Sequence, residues 1–273
     1  MKTSIAILAI LVVFAHHARA QHKLTKLWET DSVLAIPESV LAAKDVLYVS
    51  LIDGKPWEMD GKGEIAKLDK NGKILNASWA SGLNAPKGMA IWKGDLYVAD
   101  VNAVAVIDLA TGKIKNRIKV DGATGLNDVS VDSKGVVYVS DSQLGNVHKI
   151  SGGIPTPYLT GLKGVNGVKA DANDLYVLTS NDVFKVGEKK EMTSLGQTEV
   201  GGDGIEPIGG GDFVITCWPG IIYYLPKGGK LEVMLDTRPQ KTSSADLGID
   251  ASQRVIYIPT FFKKSVVAYR VSK

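Results

Sequence analysis

Residues 85–108, APKGMAIWKGDLYVADVNAVAVID, contain three short apolar runs separated by two tight turns. The runs cover residues 88–92, 96–99 and 104–107, and a Lys-Gly-Asp turn separates the first two. Apolar residues that alternate with a period of two, bounded by Gly, Asp and Asn, are typical of β-strands joined in hairpins. The stretch therefore predicts three antiparallel strands.

The middle run of this stretch, LYV, recurs along the whole chain. Its aromatic residue has six copies, at Tyr48, Tyr97, Tyr138, Tyr176, Phe213 and Tyr257. Successive copies are 49, 41, 38, 37 and 44 residues apart. This spacing is typical of four-stranded propeller blades of about 40–50 residues each. We therefore predict an all-β fold, a single six-bladed β-propeller domain spanning residues 21–273.

Residues 1–20 have the pattern of a secretory signal peptide. Lys2 precedes an apolar run over residues 5–15, and Ala18-Arg19-Ala20 forms a small-x-small cleavage site. The apolar run is too short to span a membrane. We expect cleavage after Ala20, a periplasmic or secreted protein, and no membrane anchor.

The composition excludes several classes of function. Without residues 1–20, 30 basic residues are balanced by 29 acidic ones, so no electrostatic attraction to nucleic acid is expected. Cys217 is the only cysteine, so no internal disulfide forms. His22 and His148 are the only histidines left, which excludes a Ser-His-Asp triad and a multi-histidine zinc site. We expect a monomer that binds a small molecule.

The two ends of the chain predict how the ring closes. The last copy of the repeat lacks a fourth strand, whereas residues 23–30, KLTKLWET, form a strand-like segment without a blade of its own. An open ring would expose unpaired strand edges. We therefore predict that residues 23–30 become the outer strand of the last blade.

One polar residue per blade occupies the start of the innermost strand. In a propeller this position and the loop between the second and third strands lie on one face. Alignment of the copies on their aromatic residue, with one extra hairpin residue in the third and sixth, gives a set that we call the axial ring: Glu38, Lys87, Asn127, Asn166, Asp203 and Asp246. Asn and Asp are also common turn residues, but Glu38 and Lys87 are not, which favours a functional ring.

The chemistry of the ring predicts a metal site. Its glutamate, asparagine and aspartate side chains offer only oxygen atoms as ligands. Such a set suits a hard divalent cation such as calcium or magnesium.

Aromatic residues occur in three loops on the same predicted face. Trp57 lies in the long loop of residues 52–63, Trp218 follows Cys217, and Phe261 lies in the last such loop. An apolar wall with few polar groups is typical of ligand pockets, so we predict that these three side chains contact a substrate. The alternative is that Trp218 and Phe261 pack inward between blades, as aromatic residues usually do.

Several short motifs resemble the gluconolactonase/regucalcin (senescence marker protein) family of six-bladed propellers. They are the glutamate in Pro37-Glu38-Ser39, the pair Asn166-Gly167 and the pair Asp203-Gly204. In that family, the Glu, Asn and Asp of these motifs hold the metal. The pair Asn127-Asp128 looks like the family's substrate-contacting asparagine motif.

This sequence departs from the family pattern in two places. The family's lactonases often carry an arginine two residues before the substrate-contacting asparagine, where this chain has Gly125. Lys87 adds a cation to the ring, which would hold a substrate carboxylate or fold outward.

The resemblance implies an exported, metal-dependent hydrolase of small cyclic esters of the sugar-lactone type. The metal, calcium first with magnesium, manganese or zinc as alternatives, would polarise the lactone carbonyl and activate water. Asp203 would be the general base, and Asn127, Lys87 and Asp246 would contact the substrate. Two alternatives stay open: a non-catalytic ligand- or protein-binding propeller with a structural metal, and a metal-free enzyme similar to strictosidine synthase, which uses a carboxylate acid–base residue.

Overall fold

A computed structural model describes residues 22–273, and the predicted signal peptide lies outside the described residues. Within this range the chain forms 24 β-strands and two single-turn 3₁₀ helices. The strands build six four-stranded antiparallel sheets whose innermost strands follow one another around a ring. The predicted six-bladed β-propeller is therefore confirmed. No helix in the described range is long and apolar enough to cross a membrane.

Each blade is a meander of four strands, and the first strand of the chain is β1 (Lys23–Glu29). Blade one contains β2 (Pro37–Ala42), β3 (Val46–Leu51), β4 (Gly63–Asp69) and β5 (Ile74–Leu83). Blade two contains β6 (Pro86–Trp92), β7 (Asp95–Asp100), β8 (Ala103–Asp108) and β9 (Ile114–Lys119). Blade three contains β10 (Leu126–Val131), β11 (Val137–Asp141), β12 (Asn146–Ser151) and β13 (Ile154–Leu159).

The second half of the ring repeats this order. Blade four contains β14 (Val168–Asp171), β15 (Asp174–Leu178), β16 (Asp182–Val186) and β17 (Met192–Gln197). Blade five contains β18 (Gly202–Gly209), β19 (Asp212–Cys217), β20 (Ile221–Leu225) and β21 (Glu232–Asp236). Blade six contains β22 (Gly248–Asp250), β23 (Val255–Pro259) and β24 (Val266–Ser272). The 3₁₀ turns are Arg238–Gln240 and Phe261–Lys263.

The N-terminal strand closes the ring as predicted. β1 pairs antiparallel with β24 and is the outer strand of blade six. Trp28 packs against the apolar core between blades six and one, and its indole Nε1 donates to the carbonyl oxygen of Lys70 at 3.0 Å. His22 stacks on Tyr224 of blade five with ring centroids 3.5 Å apart. The segment therefore joins three blades.

Apolar cores lie between adjacent blades because the inner strands of each blade bury both of their faces, whereas the outermost strands are largely exposed. In β8, Val104 packs toward blade three and Ala105 toward blade one. Successive side chains of a strand point to opposite faces, so a strand between two neighbouring blades is apolar throughout. This explains the continuous apolar run AVAVI in blade two.

The innermost strands approach one another closely at the axis. A methyl group at Gly88 would overlap Asp128 Oδ1, and one at Gly204 would overlap Asp246 Oδ1. Glycine next to the ring residue therefore leaves room for the carboxylate of the neighbouring blade. Polar side chains of different blades can then meet on one axis.

Candidate functional site

The structure places all six residues of the axial ring at the start of the innermost strands. Glu38, Lys87, Asn127 and Asp203 are each the second residue of their strand, and Asn166 and Asp246 precede theirs by two residues. The first four are buried and the last two are partly exposed. Six polar side chains thus surround one end of the propeller axis.

Asn166 and Asp203 are in direct contact. The Asn166 side-chain amide donates to Asp203 Oδ1 at 2.6 Å. Within the described residues, the other oxygen of this carboxylate, Oδ2, is buried without a hydrogen-bond partner, and so is Oε2 of Glu38. A buried carboxylate oxygen without a partner is costly in free energy. Both oxygens are therefore available to a ligand that is not part of the chain.

Burial shifts the pKa values of these carboxyl groups upward. Burial raises the pKa of Asp203 to about 7, against the opposing effects of the Asn166 hydrogen bond and the Lys87 charge. The pKa of Glu38 is raised well above its usual range, first by burial and then by the charge of Asp203. Two neighbouring carboxylates that are poorly solvated favour either a proton or a cation.

Lys87 supplies one positive charge near these carboxylates, but its ammonium group is held by backbone carbonyls. Nζ donates to the oxygen of Pro56 at 2.5 Å and to that of Ala85 at 2.9 Å. It also lies 4.0 Å from the centre of the Trp57 ring. Burial lowers the pKa of Lys87 to about 8, and the charge of Glu38 opposes this shift. The contact brings Trp57 and the long loop of blade one to the ring.

The predicted ligand set fits a hard divalent cation in its chemistry. Glu38, Asp203 and Asn166 present carboxylate and amide oxygens, and two of these oxygens are buried without partners. Hard cations take such oxygen ligands and complete their coordination with water. Between residues 22 and 273, no three His, Cys, Asp or Glu side chains form a metal-ligating group. The set is thus two carboxylates and one amide.

A cavity of about 390 Å³ opens beside the ring. Asn166 and Trp218 line it, together with Ser142. Ser142 Oγ accepts a hydrogen bond from the side-chain amide of Asn127 at 2.9 Å. The predicted substrate contacts Asn127 and Trp218 therefore lie around the same opening as the predicted ligand Asn166.

The aromatic residues of the rim differ from the prediction in one respect. Trp218 is 40% exposed, whereas Phe261 is only 5% exposed and packs with Ile52 and Ala85 below the surface. Phe262, which the sequence analysis did not select, is 66% exposed and lies edge-on to Trp218. The rim is therefore formed by Trp218 and Phe262, and Phe261 supports them from beneath through edge-on contacts with both.

Sequence reasoning missed the bridging role of Asp128. This buried carboxylate accepts hydrogen bonds from the backbone N–H of Val129 and, across to blade four, from that of Val168, each at 2.7 Å. Burial raises its pKa to about 7. Alignment without the extra hairpin residue would have selected Asp128 in place of Asn127. Both residues are buried at the axis.

Asp246 is held in place by a residue of the next blade. The hydroxyl of Ser39 donates to Asp246 Oδ2 at 2.5 Å. Burial raises the pKa of Asp246 well above its usual range, and the charge of Asp128 adds to this effect. Asp246 is therefore electrostatically coupled to the other carboxyl groups at the axis and hydrogen-bonded to Ser39 of blade one.

No family model and no curated protein matches the chain. Several solved structures, in contrast, resemble the chain in fold. A catalytically inactive variant of virginiamycin B lyase from Staphylococcus aureus, with quinupristin, is 16% identical, with 92% of this chain and 99% of that chain covered and a TM-score of 0.65. A protein provisionally named a gluconolactonase is 14% identical over 93% of both chains, with a TM-score of 0.67.

A third structure, of a nidogen/laminin complex, is 16% identical, with 82% of this chain and 88% of that chain covered and a TM-score of 0.64. At these identities the likeness shows the fold alone. The chain is a six-bladed β-propeller, and its neighbours of that fold include a lyase and a gluconolactonase-like protein.

Proposed function

We propose that the protein is a metal-dependent hydrolase of small cyclic esters, similar to the sugar lactonases of the gluconolactonase/regucalcin family. One observation carries this proposal. Glu38 Oε2 and Asp203 Oδ2 are buried in the axial ring without hydrogen-bond partners in the described part of the chain. Two free carboxylate oxygens beside an amide are ligands for a hard cation such as calcium.

The ring residues have distinct roles in this proposal. Glu38, Asn166 and Asp203 hold a divalent cation, which when bound supplies Lewis-acid polarisation of the ester carbonyl. Asp203 also takes a proton from the attacking water. Burial raises the pKa of Asp203 in the metal-free protein, and a bound cation would favour its charged form, which is the form that accepts a proton.

The residues around the opening position the substrate. Asn127, whose side-chain amide donates to the cavity-lining Ser142, orients the ester. Lys87 and Asp246, the proposed polar contacts, lie on either side of Glu38 in the ring order, and Trp57, Trp218 and Phe261 are the proposed aromatic contacts, with Phe262 exposed beside Trp218. Val165, Trp218 and Pro219 give the opening apolar surface, and Ser142, Asn166 and Ser180 give it polar groups, a combination that small-molecule sites use.

The structural neighbours support an enzymatic propeller without identifying the substrate. One of them is provisionally named a gluconolactonase and another is a lyase whose histidine-to-alanine variant is catalytically inactive. In the described range of this chain, His22 packs on Tyr224 at the ring closure and His148 lies in β12, so neither belongs to the axial ring. A carboxylate–metal hydrolase fits these residues better than histidine chemistry.

The test is hydrolysis of a panel of γ- and δ-lactones, followed by proton release. Activity should be lost with chelator, return with added calcium, and be lost in Glu38→Gln and Asp203→Asn, which keep the side-chain shape. Asp45→Asn, an exposed hairpin change, is the matched control. Hydrolysis that survives both chelation and Glu38→Gln would overturn the metal mechanism and favour a metal-free carboxylate acid–base enzyme.

A second candidate is a non-catalytic binding propeller with a structural metal. The exposed pair Trp218 and Phe262 favours it, because exposed aromatic side chains are typical of recognition surfaces. One neighbour of this fold was solved in a nidogen/laminin complex. A lactone panel left untouched, together with calcium-dependent thermal stabilisation, would support this function in place of the first. Export and a monomeric state stay predictions under either function.

A further inference from the structure

A cavity of about 510 Å³ lies in the cleft between blades four and five. Its lining includes Tyr176 and Leu195 of blade four and Phe213 and Leu225 of blade five. The hairpins at its mouth are those that join first to second and third to fourth strands, so it opens on the face opposite the axial ring. Its volume is within the range of small-molecule pockets, and no residue of the proposed active site lines it.

In three other blades an aromatic residue of the outer strand covers the repeat aromatic, and blade four lacks such a residue. In blade one, Trp79 of the outer strand covers Tyr48 at 4.9 Å between ring centroids. In blade six, Trp28 lies 5.8 Å from Tyr257. The repeat aromatic of these blades is thus covered by a ring from the outermost strand of its own sheet.

Comparison with blade three identifies the position in blade four where the covering aromatic residue is missing. In blade three, Tyr158 of the outer strand lies 5.2 Å from Tyr138 between ring centroids. Across the sheet, Tyr138 pairs with Lys149 and Lys149 pairs with Thr156, and Tyr158 is two residues after Thr156. In blade four, Tyr176 pairs with Lys185 and Lys185 pairs with Thr193 in the same way. The residue two positions after Thr193 is Leu195. A leucine at this position leaves one side of the Tyr176 ring open. Tyr176 instead contacts Phe213 of blade five at 4.3 Å, and the two rings form part of the cavity wall.

Glycine residues keep the mouth of the cavity open. The hairpin that leads into β19 contains Gly209, Gly210 and Gly211, all with positive φ, and Gly228 in the next turn has φ 65°. A methyl group at Gly209, Gly210 or Gly228 would meet no atom within 4 Å. No side chain from these positions covers the rings below.

Among the described residues, Lys227 gives the mouth of the cavity a cation without an ion-pair partner. Lys185 is paired with Asp174 at 2.8 Å. Lys227 is exposed, its aliphatic stem lies against Gly211, and in the described residues its ammonium has no acidic partner. Asp212, which contacts the Lys227 backbone, accepts hydrogen bonds from the Tyr224 hydroxyl and the Lys227 backbone N–H, and Glu232 accepts hydrogen bonds from His22. Lys227 can therefore place its charge at the edge of an apolar pocket.

We propose that this cleft is a second binding site, for a small flat apolar anion: a ring system that bears a carboxylate or sulfonate. The ring system would stack on Tyr176 and Phe213, which favour offset or tilted aromatic contacts. The anionic group would pair with Lys227. The site is separate from the axial ring and does not depend on the proposed hydrolase activity.

The probe is 8-anilinonaphthalene-1-sulfonate, an aromatic sulfonate whose fluorescence increases in an apolar site. The neutral N-phenyl-1-naphthylamine, which has the same rings without the sulfonate, is its partner. Lys227→Gln should weaken binding of the sulfonate about two- to fivefold and leave binding of the neutral probe unchanged. Lys113→Gln, an exposed lysine in the corresponding turn of blade two, should change neither.

Leu195→Trp tests the cavity itself, because it restores the kind of aromatic cover that Trp79 gives in blade one. This variant should lose saturable binding of both probes while it keeps the wild-type far-ultraviolet circular dichroism. Wild-type affinity for the sulfonate in folded Leu195→Trp would overturn the proposal. So would an unchanged sulfonate affinity in Lys227→Gln, an exposed substitution that does not threaten the fold.

Discussion

Asn166 and Asp203 join blades four and five at the axis: the amide of one donates to Oδ1 of the other at 2.6 Å, and Oδ2 is left buried without a partner in the described residues. The hydrogen bond fixes the orientation of the carboxylate. It also favours the charged form of Asp203 against the effect of burial. Removal of a group that orients a metal-binding side chain in this way commonly lowers metal affinity tenfold or more.

Asn166→Ala should therefore weaken calcium binding at least about tenfold. It removes both a proposed ligand and the hydrogen bond that orients Asp203. Isothermal titration of the chelator-treated protein at neutral pH measures the affinity directly. Asn71→Ala, in an exposed hairpin, is the control. Equal affinity in wild type and Asn166→Ala would remove Asn166 from the metal site.

The stability of the metal-free protein should fall as pH rises. The pKa of Asp203 is about 7 in the folded state against a usual value of 3.8. Between these values the unfolded chain has released the proton that the folded protein retains, so the free energy of unfolding falls with rising pH. Melting temperatures in chelator should be lower at about pH 8 than at about pH 5, and calcium should raise the value at about pH 8.

Asp203→Asn should reduce this dependence without abolishing it, because burial also raises the pKa of Asp128 to about 7. Lys87 has the opposite effect, because its lowered pKa of about 8 makes the folded protein lose this proton before the unfolded chain does, but this effect begins only at the upper end of the pH range. A melting temperature that rises steadily from about pH 5 to about pH 8 in chelator would contradict the assignment.

The fold was predictable because its signals are local and repeated. Each LYV copy between turn residues specifies a strand, and the unpaired segment before blade one specifies the closure through Trp28. The ring positions also follow from the repeat, because an offset of ten residues from the aromatic residue, or eleven where the first hairpin has one extra residue, leads to the start of every innermost strand.

The details of the site were less predictable because they depend on irregular backbone. Phe261 and Phe262 are adjacent in a 3₁₀ turn where Phe261 has φ 53°, so strand alternation does not determine which ring is buried. The ammonium of Lys87 is held by the carbonyls of Pro56 and Ala85. A backbone carbonyl is present at every residue and leaves no sequence signal for such a contact.

Trp28→Ala should destabilise the protein strongly because it weakens the closure of the ring. The side chain packs in the core between blades six and one and donates to Lys70. Removing a large aromatic side chain from a core costs about 3–5 kcal/mol; the partial exposure of Trp28 places it at the lower end. Denaturant unfolding measures the change. Trp218→Ala, at an exposed rim position, should cost less than about 1 kcal/mol, and equal losses would argue against a role for Trp28 in closure.

Lys87→Met should have two separable effects. It removes a cation whose charge acts on Glu38 and Asp203, so calcium affinity should rise by about tenfold. It also removes the bond to Pro56 and the contact with Trp57 that hold the loop of residues 52–63, so trypsin should cut faster at the exposed Lys62. Lys87→Arg retains the charge and should show neither effect in full. Weaker calcium binding in Lys87→Met would mean that Lys87 supports the metal site instead of competing with it.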